Sequence, residues 1–115
     1  MEEPLRKSVS PDGKLTLELF STDEYYLGFA GQAWHTHGDL LVPEYGENPE
    51  SAALGFFDAV VSDREAICVS KRIGKEEAIS ITHDPEAAPR YMEEGEVLQL
   101  RFWSGIEISR HEKRG

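Results

Sequence analysis

One stretch of this 115-residue chain has a helical period, and several segments on either side of it alternate instead. In NPESAALGFFDAVVSD, residues 48–63, the apolar residues Ala53, Phe56, Phe57, Val60 and Val61 recur at the spacing of one helix face. Asn48 suits an N-cap, Pro49 the first helical position, and Glu50 the positive end of the helix dipole. The stripe is expected to cover the core, so replacing Phe57 by Ala should cost several kcal/mol, roughly 3–5.

The flanking segments read as strands because their side chains alternate. KLTLELF puts Leu15, Leu17 and Leu19 on one face. EYYLGFAG follows after the polar turn STDE and suggests a hairpin, and AWHTH continues it or forms a further strand. After the helix come EAICVSKRI, a GKEE turn and the returning AISIT. HDPEAAPRYMEEGE reads as a long acidic loop. EVLQLRFW alternates again, and Gly105 separates it from a short IEIS. Phe102 and Trp103 face opposite ways, so one is expected in the core and the other outside. The expectation is an α+β domain: a mostly antiparallel sheet of five to six strands with one principal helix packed on one face. No repeat or linker divides residues 1–115, and the polar ends, 1–13 and 110–115, are expected to be flexible.

The length excludes a (β/α)8 barrel, which needs roughly 250 residues. No apolar run approaches the roughly 18 residues of a membrane span, and MEEPLRKSVSPDGK does not read as a secretory signal. The single cysteine, Cys68, cannot form an internal disulfide, which suits a reducing cytosol, and it reads as a small core residue.

Charge narrows function further. Twelve Lys+Arg against 22 Asp+Glu give a net charge of −10. Between Lys14 and Arg64 there is no Lys or Arg, while Glu18, Asp23, Glu24, Asp39, Glu44, Glu47, Glu50, Asp58 and Asp63 all fall there. The same stretch holds most of the aromatic residues. Nucleic-acid binding needs a basic face and is disfavoured, as is adhesion to anionic membranes. An acidic, aromatic-rich surface instead favours a basic protein partner, attracted over long range. A homodimer through a sheet edge or face is compatible with the sequence but not required by it.

GQAWHTHGDLL, residues 31–41, carries the one constellation that points to chemistry. His35 and His37 share a strand face, and Asp39 joins them if the strand continues. Zinc accepts such donors, and catalytic sites use three protein ligands plus a water activated for hydrolysis. HTHGD resembles the metallo-β-lactamase pattern HxHxDH, but Leu40 stands where the last His belongs. WHTH resembles the core of the JAMM isopeptidases, whose H-x-H-x10-D pattern would need an acid where Asn48 stands. A cupin would need a Glu where Leu41 or Val42 stands. Each pattern lacks a ligand here, so a small metal-dependent hydrolase on His35, His37 and Asp39, with zinc as its cofactor, is the minority reading. The majority reading has no cofactor and no catalytic residue. Phosphate-loop motifs and a G-x-S-x-G elbow are absent, and Glu93-Glu94 reads as a solvated loop.

The segment AWHTHGDLL, with its loop and the following ESAALGFFDAVVSDREAICV, resembles a group of small bacterial proteins of the toxin-immunity type, over residues 25–72. The resemblance implies a cytosolic protein that blocks a partner, often a basic nuclease, by covering its active site. On that reading the partner-binding residues are the acids Asp39, Glu44 and Glu47, with Trp34 and Tyr45 as aromatic anchors.

Overall fold

A computed structural model describes residues 3–114. Its single α-helix among those residues, α1 (Pro49–Val61), begins where the sequence places it. Asn48 Oδ1 accepts the Ser51 N–H at 2.9 Å, and Ser51 Oγ accepts the Asn48 N–H at 3.2 Å, so two otherwise unpaired amides are satisfied. Ala52, Ala53, Phe56, Phe57, Ala59 and Val60 are buried, and Val61 is half-buried.

The expected single sheet is two sheets. The first is a four-stranded antiparallel meander: β1 (Arg6–Val9), β2 (Thr16–Leu19), β3 (Tyr26–Phe29) and β4 (His35–His37), in that order. The second holds β5 (Ala66–Arg72), β6 (Ala78–Thr82), β7 (Glu96–Arg101) and β8 (Glu107–Lys113), in the order β6-β5-β7-β8. The reason is local. β4 is three residues long and runs straight into a 3-10 turn, Gly38–Leu41. From there the chain enters α1, and β5 is paired on both sides by β6 and β7, so it takes no strand of the first sheet as a neighbour. Both ends expected to be flexible carry paired strand: Arg6–Val9 pairs with β2, and β8 runs to Lys113.

One core serves both sheets. Leu15, Leu17, Leu19, Leu27 and Phe29 meet α1, and the same cluster takes in Ile67, Ile79 and Trp103 from the second half. Trp103 is the buried member of the Phe102-Trp103 pair, and Phe102 is half-buried. The acidic loop after β6 is a strap. It makes a second 3-10 turn, Ala88–Tyr91, and drops Met92 onto Leu98 and Leu100 on the outer face of the second sheet. Cys68 lies half-buried there rather than in the main core, and burial pushes its thiol pKa up.

Polar contacts also join the halves, two of them at the turns of the first sheet. Arg101 is buried on β7 and its guanidinium donates to Asp12 Oδ2 at 2.7 Å, across the β1–β2 turn. Gln32 Oε1 accepts the Ile79 N–H at 3.1 Å, which caps the free edge of β6.

Candidate functional site

The connection between β2 and β3 sets the site. Asp23, Glu24 and Tyr25 take φ of 49, 56 and 64°, three successive non-glycine residues in the left-handed region. Each costs roughly 1–2 kcal/mol relative to right-handed backbone, so the turn needs outside support. The neighbouring chain supplies it. Gly38 N–H donates to the Glu24 carbonyl at 2.9 Å, and His37 Nδ1–H donates to the Asp23 carbonyl at 2.6 Å. Tyr25 Oη–H donates to Glu50 Oε2 at 3.0 Å, tying the turn to the first turn of α1.

Asp39 is brought up from the other side. A side chain at Gly38 would collide with the Pro49 carbonyl, so the 3-10 turn lies against the start of α1 only because this residue is glycine. Asp39 and Glu24 are thereby apposed. The hydrogen bond that protonated Glu24 donates to the Asp39 carboxylate, and then the Asp39 charge, raise the Glu24 pKa above the ordinary glutamate value, while His37 acts in the opposite direction. Together Asp23, Glu24, His37, Asp39 and Leu40 line an open depression of about 420 Å³. Leu40 is 71% exposed beside these acids. Of the nine acids between Lys14 and Arg64, only Asp58 makes an ion pair with Lys or Arg among the described residues, to Arg6 at 2.8 Å.

The sequence-derived residues separate on this geometry. Asp39 and His37 line the depression. Glu44 and Glu47 are exposed on the next loop, outside it. Trp34 is half-buried against Phe29, ring centroids 6.0 Å apart, and so packs at the core margin. Tyr45 is half-buried edge-on to Phe56 at 4.9 Å, and its hydroxyl donates to buried Glu65, which also takes His83 Nδ1 at 3.0 Å. That burial and the Glu65 carboxylate push the Tyr45 pKa well up. Its hydroxyl is therefore committed inside the molecule. Glu24, Asp23 and Leu40 were missed from sequence. The one available signal was GDLL, where a single 3-10 turn buries Leu41 and leaves Leu40 outside.

The metal reading can be set against the donors directly. His35 stacks on Tyr26 at 4.7 Å and donates its Nδ1–H to the Ala33 carbonyl at 3.1 Å. A carbonyl only accepts, so both histidines keep Nε2 as the open nitrogen. That is how metal-ligating histidines are oriented. Asp39, however, is turned to Glu24, and no group of three His, Cys, Asp or Glu among the described residues is placed to hold a metal ion.

The like-charge apposition has a consequence for stability. Glu24 has a folded pKa above its unfolded value, so its charged form opposes folding at neutral pH, and that cost is lifted as pH falls through the folded pKa. Glu24→Gln is expected to raise the urea midpoint at pH 7, with the gain shrinking at pH values low enough to protonate Glu24. Midpoints for parent and variant across the acid range check it. A variant less stable than the parent at pH 7 would contradict the apposition.

Comparison with protein-family models, with curated proteins and with solved structures returned no match to this chain.

Proposed function

We propose that the chain is a small cytosolic protein-binding module that takes a basic protein partner on the acidic depression at Glu24 and Asp39. The observation that carries this reading is the apposition of those two carboxylates, exposed and without a Lys or Arg counter-ion among the described residues. A partner's guanidinium or ammonium placed between them would relieve their repulsion and gain two charge-assisted hydrogen bonds. The hydrogen bonds that support the Asp23–Tyr25 turn hold Glu24 in place before binding, which lowers the ordering cost of association. Exposed Leu40 supplies apolar contact at the same spot. Within this reading the partner is a toxin, and the module is an immunity protein that covers its active site.

The hydrolase reading on His35 and His37 keeps two correctly oriented imidazoles, but its third ligand is engaged with Glu24. The charge reading accounts for Asp39 and the metal reading does not.

The test is affinity capture from the native host at about 50 and 200 mM salt, since screening weakens exposed charge pairs. The expected result is a stoichiometric basic protein, retained at low salt and weakened at high salt. Glu24→Gln with Asp39→Asn should weaken binding by roughly tenfold or more. Recovery of no basic partner at either salt, or undiminished binding by the double variant, would overturn the proposal.

A further inference from the structure

We propose that the cleft between the outer face of the second sheet and the strap after β6 binds an ammonium group carried on a short apolar body. This site is separate from the acidic depression and does not depend on how that depression is read.

The cleft measures about 460 Å³, inside the range of roughly 300–1,000 Å³ typical of small-ligand sites. Its floor is polar. Cys68 and Ser80 stand opposite each other in the β5–β6 register, with Ser70 two residues along. Its wall is apolar, made by buried Leu98 and Met92. Tyr91, 81% exposed, stands at the rim and also lines an adjoining recess.

The hydrogen-bond inventory selects the ligand's charge. Ser70 Oγ–H is spent on Glu96 Oε2 at 2.6 Å, and Glu96 Oε1 accepts the Glu93 N–H at 2.8 Å. Asp84 Oδ1 accepts the Ala87 N–H at 3.1 Å. Each carboxylate keeps further lone pairs, because an ionised carboxyl offers about four acceptor positions. Two carboxylates line the cleft, and among the described residues no Lys, Arg or His does. An anion would be repelled, whereas a donor cation would find acceptors at Glu96 and an aromatic face at Tyr91. The Leu98–Met92 wall accommodates an apolar stem.

The probe is phenethylamine, titrated calorimetrically into the whole protein, with 2-phenylethanol as its neutral counterpart and Nα-acetyl-lysine methylamide as a lysine side chain. The expected result is saturable amine binding with no comparable binding of the alcohol. A preference between the two amines then tells a free amine from a peptide lysine. Glu96→Gln should weaken binding by roughly tenfold or more. Because Glu96 also supports Ser70 and Glu93, Tyr91→Ala is the second variant. Its side chain is exposed, so the fold is retained, and binding should weaken roughly threefold or more. No saturable heat with either amine, equal binding of the alcohol, or parent-like binding by both cleft variants would overturn the proposal.

Discussion

Asp12→Ala is expected to lower the unfolding free energy by roughly 3–5 kcal/mol, the range for stranding one partner of a buried pair. Arg101 is only 4% exposed, and its guanidinium makes three kinds of contact: Asp12 Oδ2, the Phe102 carbonyl at 3.0 Å and the Trp103 carbonyl at 3.1 Å. Removing Asp12 leaves a full charge inside the protein with neutral acceptors alone. Removing the other member is milder. In Arg101→Met, Asp12 is 30% exposed and can hydrate, and the apolar stem is replaced. The remaining cost comes from the Trp103 carbonyl, which loses the guanidinium, about 1–3 kcal/mol, while the Phe102 carbonyl keeps the Gly105 N–H at 3.0 Å. The order of the two variants is thus part of the prediction.

Asp12 also gives the contribution a pH signature. The Ser10 hydroxyl first, then Arg101 and the Lys14 amide, hold its carboxyl far below the usual aspartate range. A depressed folded pKa stabilises fully above the unfolded value, about 3.9, and the benefit is lost as pH falls through the folded value. The gap between parent and Asp12→Ala should therefore hold from neutral pH down to about pH 4–5 and close only in stronger acid. Urea unfolding followed by tryptophan fluorescence reads it, since Trp103 is buried beside the pair. A loss below about 1 kcal/mol at pH 7 would show that the buried guanidinium is satisfied without Asp12.

Phe57→Ala is the second large effect, roughly 3–5 kcal/mol from lost transfer energy and the cavity left behind. Phe57 is 2% exposed and belongs to the cluster that joins both sheets, with the Arg6 guanidinium 5.5 Å above its ring. The site cannot collapse easily. A side chain at Gly55 would collide with the Tyr45 carbonyl, so α1 is already pressed against the loop before it. Denaturant midpoints should fall with an unchanged slope. Phe57→Leu should lose markedly less, and equal losses for the two would mean that the site relaxes.

The local elements were legible because their signals are local. Asn48, Pro49 and the 53–56–57–60 stripe specify where α1 starts and which face it buries. Leu15, Leu17 and Leu19 specify the inner face of β2, and all three are buried. The weakest strand signals failed for a physical reason. In β1, RKSV is largely exposed and polar, and it is held by pairing with β2 rather than by burial, so alternation could not reveal it. The number of sheets was also hidden, since alternation tells which face is buried but not which strand lies alongside.

The candidate site divides the same way. The amino-acid order by itself determined the charge, the cation-free stretch from residue 15 to 63, the helix and its core face, and the common strand face of His35 and His37. Only the tertiary structure decided that Asp39 meets Glu24 rather than the histidines, that Tyr45 spends its hydroxyl on Glu65, and that Trp34 packs inward. The first of those outcomes depends on a left-handed turn at Asp23–Tyr25 and on the close approach of Gly38 to Pro49. Both are supported by residues distant in the chain. Periodicity reports only on neighbours a few positions away, so contacts that exist because two segments cross could not be read from it.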